Sequence, residues 1–189
     1  MPSSAVPPRT LRELLHQEAR LAPERALRLL GDLATALAPL HARGAAHGAL
    51  TPEHVLLDAA GRATPAPPSR DGDAAAPQPW PTYLAPEQID GRPADARSDV
   101  YALGLLGWEM LAGRQPWEGE SLFGVVVKQR EQDLPRLSTL RPGLPRALVQ
   151  AIEGALHKHP GDRWQRADEL RLALEAAAAP PAAGAETPT

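Results

Sequence analysis

Residues 96 to 113, ARSDVYALGLLGWEMLAG, decide how the rest of the chain is read. A surface helix shows an apolar stripe and a polar one, repeating every 3.6 residues. Here Val100, Tyr101, Leu103, Leu105, Leu106, Trp108, Met110 and Leu111 leave no polar face. The pattern predicts a helix from Ser98 to Ala112, stopped by Gly113, at the buried centre of a domain. Such a helix needs other elements packed all round it, and the flanking sequence supplies them.

The chain has 189 residues and is 43% apolar, enough for one good core with tails, whereas two domains would each be thinly packed. It contains no cysteine, so disulfides, thiolate chemistry and Cys-based zinc sites are excluded. The start, MPSSAVPPRT, has no basic region followed by an apolar run, and no apolar stretch approaches the ~20 residues of a membrane span. A soluble cytoplasmic protein with no membrane contact is the default expectation. A net charge of -3 gives no basic face for nucleic acid. Lys128 and Lys158 are the only lysines, and the arginine excess reads as compositional bias.

Around the central helix the remaining elements are mostly helical. Thr10-Leu11-Arg12-Glu13 has the form of a capping box opening a helix to about Gln17. Ala22-Pro23-Glu24 opens a second, running to Arg43 before Gly44, with Leu27, Leu30, Leu33, Ala34, Leu37 and Leu40 on its apolar face. Pro39 withholds a donor from the carbonyl of Thr35, so a bend is expected there. His54 to Leu57 reads as a short strand, and the turn Asp58-Ala59-Ala60-Gly61 leads toward a doubtful second one. Prolines at 65, 67, 68, 77, 79, 81 and 86 make 63–86 a long loop. Further helices are predicted over Ser121 to Glu131, Pro145 to His157 and Ala167 to Ala178. Residues 1–9 and the low-complexity tail 179–189 are expected to be disordered, leaving one domain over 10–178.

The order of these pieces resembles the C-terminal lobe of bacterial Ser/Thr protein kinases. LHARGAAHGALTPEHVLLDAAG (40–61) is similar to the end of that family's helix E and its catalytic loop, usually H-R-D-L-K-P-E-N. YLAPEQIDG (83–91) is similar to the A-P-E segment, ARSDVYALGLLGWEMLAGRQPWEGES (96–121) to helix F and the turn beyond, and HPGDRW (159–164) to the arginine-bearing turn between the last helices. The resemblance implies a mainly α, kinase C-lobe-like helical domain with a short β-hairpin beside the catalytic loop and the N-terminal β-lobe absent. Trp108, Trp117 and Trp164 fall where the family carries aromatics, and core packing accounts for them.

The resemblance also locates the chemistry, position by position. Phosphoryl transfer needs a positioning base, metal ligands and cations on the phosphates. The catalytic Asp falls on Ala49, the loop's Arg on Gly48, its Lys on Thr51 and the metal-binding Asn on His54. By spacing, D-F-G falls on Pro67-Pro68-Ser69; Asp71-Gly72-Asp73, four residues on, reads as a solvated turn. Trp80 occupies the place of a small hydroxyl residue, no G-x-G-x-x-G occurs, and neither lysine lies where a strand lysine would. Structural positions are filled instead. His47 is implied to pack in the fold with its backbone held by Asp99, and Glu87 to form a buried ion pair with Arg163.

These readings predict no catalytic, cofactor-binding or metal-binding residues, and a structural set of His47, Glu87, Asp99 and Arg163. The function implied is a pseudokinase-like scaffold or interaction module, with an active Ser/Thr kinase completed in trans, or from an upstream start, as the alternative. A protein partner or a second copy is expected on the surface that an N-terminal lobe would cover, since large apolar patches seldom stay bare. The 121–131 helix is a second candidate surface, because Val125-Val126-Val127 cannot all face inward. Thr64, Thr82, Thr187 and Thr189 are candidate phosphorylation sites, with unmodified linker threonines the favoured reading. His41, His47 and His54 fall in different elements and His157 and His159 at a helix end, so a metal site is not expected.

Overall fold

The computed structural model describes residues 9–67 and 81–178. The strands are β1 (Arg9–Thr10), β2 (Val55–Leu57) and β3 (Ala63–Pro65). The helices are α1 (Leu11–Gln17), α2 (Pro23–Ala42), α3 (Pro86–Ile89), α4 (Ala96–Ala112), α5 (Leu122–Glu131), α6 (Leu137–Leu140), α7 (Arg146–Ala155) and α8 (Ala167–Ala178). The domain is therefore mainly α with one small sheet.

Every residue of α4 from Ser98 to Ala112 is buried, as its lack of a polar face requires. Asp95 caps its start by accepting from the Arg97 N–H, and Gly113 closes it in the left-handed conformation at φ 77°. Two glycines let its neighbours come close. A Cβ on Gly107 would lie 2.9 Å from Leu30 of α2 and 3.1 Å from Ile152 of α7, and one on Gly104 would lie 3.0 Å from Ala155 and Leu156. Helices α2 and α7 pack on α4, and α8 packs on α2 and α7. Burial of side chains the size of Leu, Phe or Met is worth about 1.5–3 kcal/mol each, and this core holds Tyr101, Trp108 and most of the chain's leucines.

The capping box of α1 is complete: Thr10 Oγ1 accepts from the Glu13 N–H at 3.2 Å, and Glu13 Oε2 from the Thr10 N–H at 2.9 Å. On α2 the buried face is Ala26, Leu29, Leu30, Leu33, Ala34, Leu37 and His41, so Leu27 and Leu40 are only half-buried at its margins. The helix continues through Pro39 to Ala42. Pro39 and Thr35 are both exposed, so the break in the backbone ladder lies on the outer side of the helix, away from the core.

The sheet differs from a simple hairpin. Strand β2 is central, antiparallel to β1 (Arg9↔Leu57) and to β3 (Val55↔Pro65). The stretch 63–86 is thus not irregular throughout: it begins as a strand, which tolerates Pro65 because β3 is an edge. At its far end Pro81–Tyr83 forms a 3-10 turn and Pro86 opens α3. Both α3 and α6 span four residues, too short for a periodic signal. Expectations for 1–8, 68–80 and 179–189, including Pro68, Ser69, Asp71, Asp73, Trp80, Thr187 and Thr189, lie outside the described residues. Among the described residues, no helix is long and apolar enough to cross a membrane.

Candidate functional site

The loop between α2 and β2 is fixed by one carboxylate. Asp99, in the first turn of α4 and 1% exposed, accepts three hydrogen bonds. Its Oδ2 takes the His47 N–H at 2.7 Å and His41 Nε2–H at 2.9 Å, and its Oδ1 takes the Gly48 N–H at 2.7 Å. Several N–H donors and the positive end of a helix dipole stabilise a buried carboxylate. His41 Nδ1 accepts from the Ala167 N–H at 3.1 Å, which places the ring proton on Nε2. One side chain therefore joins α2, α4 and the start of α8. His41 went unrecognised in the sequence because a histidine in a last turn reads equally well as a surface residue complementing the helix dipole.

Within the loop the side chains serve the backbone. His47 Nε2 donates to the Ala66 carbonyl at 2.5 Å and its Nδ1 accepts from the Ala49 N–H at 3.3 Å, tying the loop to the end of the sheet. Gly48 has φ +72°, and a Cβ there would sit 3.1 Å from Ala94 Cβ. Its carbonyl accepts from Gln88 Nε2 at 2.8 Å. His54 Nδ1 donates to the Ala49 carbonyl at 2.8 Å, so that imidazole is turned back on its own loop. Thr51 is buried. A divalent magnesium ion prefers near-octahedral oxygen ligands, and the side chains of Ala49, His54 and Pro67 offer none. Among the described residues, no group of three or more His, Asp or Glu side chains is placed to hold a metal.

A second fixed point joins α3 to the turn before α8. Arg163 Nη1 and Nη2 donate to Glu87 Oε1 and Oε2, both at 2.8 Å. Its remaining donors reach the carbonyls of Arg97 (3.0 Å), His157 (2.7 Å) and Lys158 (2.8 Å), so all five guanidinium N–H groups are used. Ser98 Oγ adds a hydrogen bond to Glu87 Oε1 at 2.7 Å. Burial alone would raise the Glu87 pKa, but the hydrogen bonds from Arg163 and Ser98 outweigh it and hold the carboxyl below its ordinary value.

A third cluster has no sequence signature. Arg12 of α1 donates to Glu53 at 2.7 Å, to Glu109 of α4 at 2.6 Å and to the Tyr83 hydroxyl at 2.6 Å. Tyr83 in turn donates to Glu109 at 2.7 Å. Burial raises the pKa of Glu109 despite the nearby guanidinium, and burial raises that of Tyr83 as well. The partners come from positions 12, 53, 83 and 109, and only the fold brings them together.

The geometry can be set beside known proteins. A family model described as the protein kinase domain matches residues 3–172. The chain belongs to the protein kinase family. It is 34% identical to a probable serine/threonine-protein kinase of Corynebacterium efficiens, over 88% of this chain and 27% of that protein. It is 32% identical to the serine/threonine-protein kinase PknL of Mycobacterium tuberculosis, over 89% of this chain and 44% of PknL. Against PknB of the same species it is 33% identical over 87% of this chain and 28% of PknB. The chain thus spans between about a quarter and under half of the length of these kinases.

Proposed function

We propose that this kinase-family chain is a catalytically inactive, pseudokinase-like scaffold or regulatory interaction module. The observation that carries the reading is Ala49. Its loop is fixed just before it, at His47 and Gly48, by Asp99, and at its own carbonyl by His54, yet the residue presents only a methyl group where the family places a carboxylate. A methyl neither accepts a proton nor orients a hydroxyl. The companion positions agree: Gly48 and Thr51 bring no cation, and His54 and Pro67 no hard oxygen ligand. A partner protein or a second copy would engage the face formed by the sheet and the 47–54 loop. The tip of α5 offers a second face, with Leu122 57% and Phe123 78% exposed.

Calorimetry and thermal shift with ATP and Mg²⁺ test the reading. No saturable heat and no shift are expected. Metal-dependent saturation, with label transferred to a Ser/Thr peptide, would replace it by the second reading. That reading is an active Ser/Thr kinase whose nucleotide-binding segment is supplied in trans or encoded upstream, and the identity to PknL and PknB favours it.

A further inference from the structure

Helix α5 stands apart from the helical body. It packs against the Pro81–Tyr83 turn and α3, without comparable packing on α2, α4, α7 or α8. Trp117 and Val125 are buried, yet neither belongs to the continuous hydrophobic core. What holds this region is largely polar and converges on Gln129, which is 0% exposed. Its Oε1 accepts from Trp117 Nε1–H at 2.5 Å, and its Nε2 donates to the Thr82 and Leu84 carbonyls at 3.0 and 2.8 Å. The Gln129 carbonyl accepts from Lys158 Nζ at 2.9 Å, and the same amine donates to the Tyr101 hydroxyl at 2.9 Å.

Two features mark the edges of this region. Trp117 has φ +58°, the one non-glycine residue in the left-handed region among the described residues, so the 114–120 loop is held in a conformation it would not choose alone. On the other side, the Pro81–Leu84 segment is fixed to the body by Tyr83, which lies in the hydrophobic core, donates to Glu109 of α4 and accepts from Arg12 of α1.

We propose that α5 and the 114–120 loop form one cooperative unit that opens locally from the helical body and from the Pro81–Leu84 segment, with Gln129 as the tie that makes the two parts move together. The physical basis is the contrast between an extensive apolar core on one side and a small satellite cluster joined by a few buried hydrogen bonds on the other. Opening adds Trp117 and Val125 to the exposed Leu122 and Phe123, and frees the Thr82 and Leu84 carbonyls. Motion ends at Gly113 and at the Pro81–Leu84 segment, which Tyr83 holds in place.

Native-state hydrogen exchange on the whole chain tests this. The reporters are hydrogen-bonded amides: Glu120 (to Trp117), Val125 (to Ser121) and Gln132 (to Lys128). In the wild type they should share one opening step, with protection at least about tenfold below that of α4 and α7 amides. Trp117→Phe removes the indole donor and leaves Gln129 Oε1 buried without a partner. It should lower protection of all three reporters together by about fivefold or more, with α2 and α4 unchanged. Gln129→Leu is the second variant and should act in the same direction on the same set. The proposal is overturned if wild-type α5 amides exchange only with global unfolding. It is equally overturned if Glu120 does not follow α5 in either variant, or if protection falls uniformly across α2 and α4.

Discussion

Replacing Arg163 by methionine removes five hydrogen bonds at once. Three were to carbonyls, which lose a partner. The larger effect falls on Glu87, whose carboxylate stays buried with only the Ser98 hydroxyl to compensate it. Breaking a buried pair from one side costs about 3–5 kcal/mol. For a chain of this size that is a fall of about 6–20 °C in Tm, at roughly 2–4 °C per kcal/mol. Urea unfolding should show the loss as a lower midpoint at constant slope. The double variant Glu87→Met/Arg163→Met should lose clearly less than the two single losses added together, because no charge is stranded. The pair also has a pH signature. Glu87 has a folded pKa below its ordinary 4.5, so its contribution is complete above that pH and is lost as pH falls through the folded value. Arg163→Met should therefore flatten the acid limb of the stability curve. A loss below about 1 kcal/mol, or strict additivity of the two single variants, would refute the reasoning.

Two further outcomes follow from single residues. Gly48→Ala forces a side chain into φ +72° and within 3.1 Å of Ala94, and should cost about 1–2 kcal/mol in urea unfolding; an unchanged midpoint would show that the loop can relax. Burial lowers the Lys158 pKa from 10.5 to about 8, so between those values the unfolded chain holds the extra proton and stability should rise with pH. The rise is at most about 1.4 kcal/mol per pH unit, and less for an amine still partly in water. Tm measured from pH 7.5 to about 9.5, below the ordinary tyrosine range, should climb in the wild type and stay flat in Lys158→Met relative to it.

The sequence makes visible whatever one segment determines alone. The α1 capping box, the all-round apolarity of α4 and the start of α8 at Ala167 are local facts and can be read as such. Strand β3 was hidden by Pro65, whose missing donor matters only if the strand is internal, and only the sheet order makes it an edge. On α5 the Val run does not all face inward, as expected, for Val126 and Val127 are only half-buried. In the structure Val125 is buried, and the large exposed side chains are Leu122 and Phe123 at the helix start. Thr82, considered as a phosphorylation site, is buried, whereas Thr64 is exposed. The loop positions 48, 49, 51 and 54 were located through the resemblance, since a short Gly-Ala-rich turn carries no periodic signal. Arg12, His41 and Gln129 were missed for one shared reason. Each acts through partners distant in sequence, and neither spacing nor composition reports such contacts.

Those distances set an order of assembly. The bond from the Ala167 amide to His41 spans 126 positions, and His41 in turn braces the Asp99 carboxylate that shapes the loop at His47. While the chain is being synthesised, the loop at 47–54 can be complete in sequence, yet His41 lacks its support until α8 has emerged. The loop's final form is then a late event in folding. A chain cut before Ala167 would lose definition at His47, 120 residues away, before any change in the loop's own sequence.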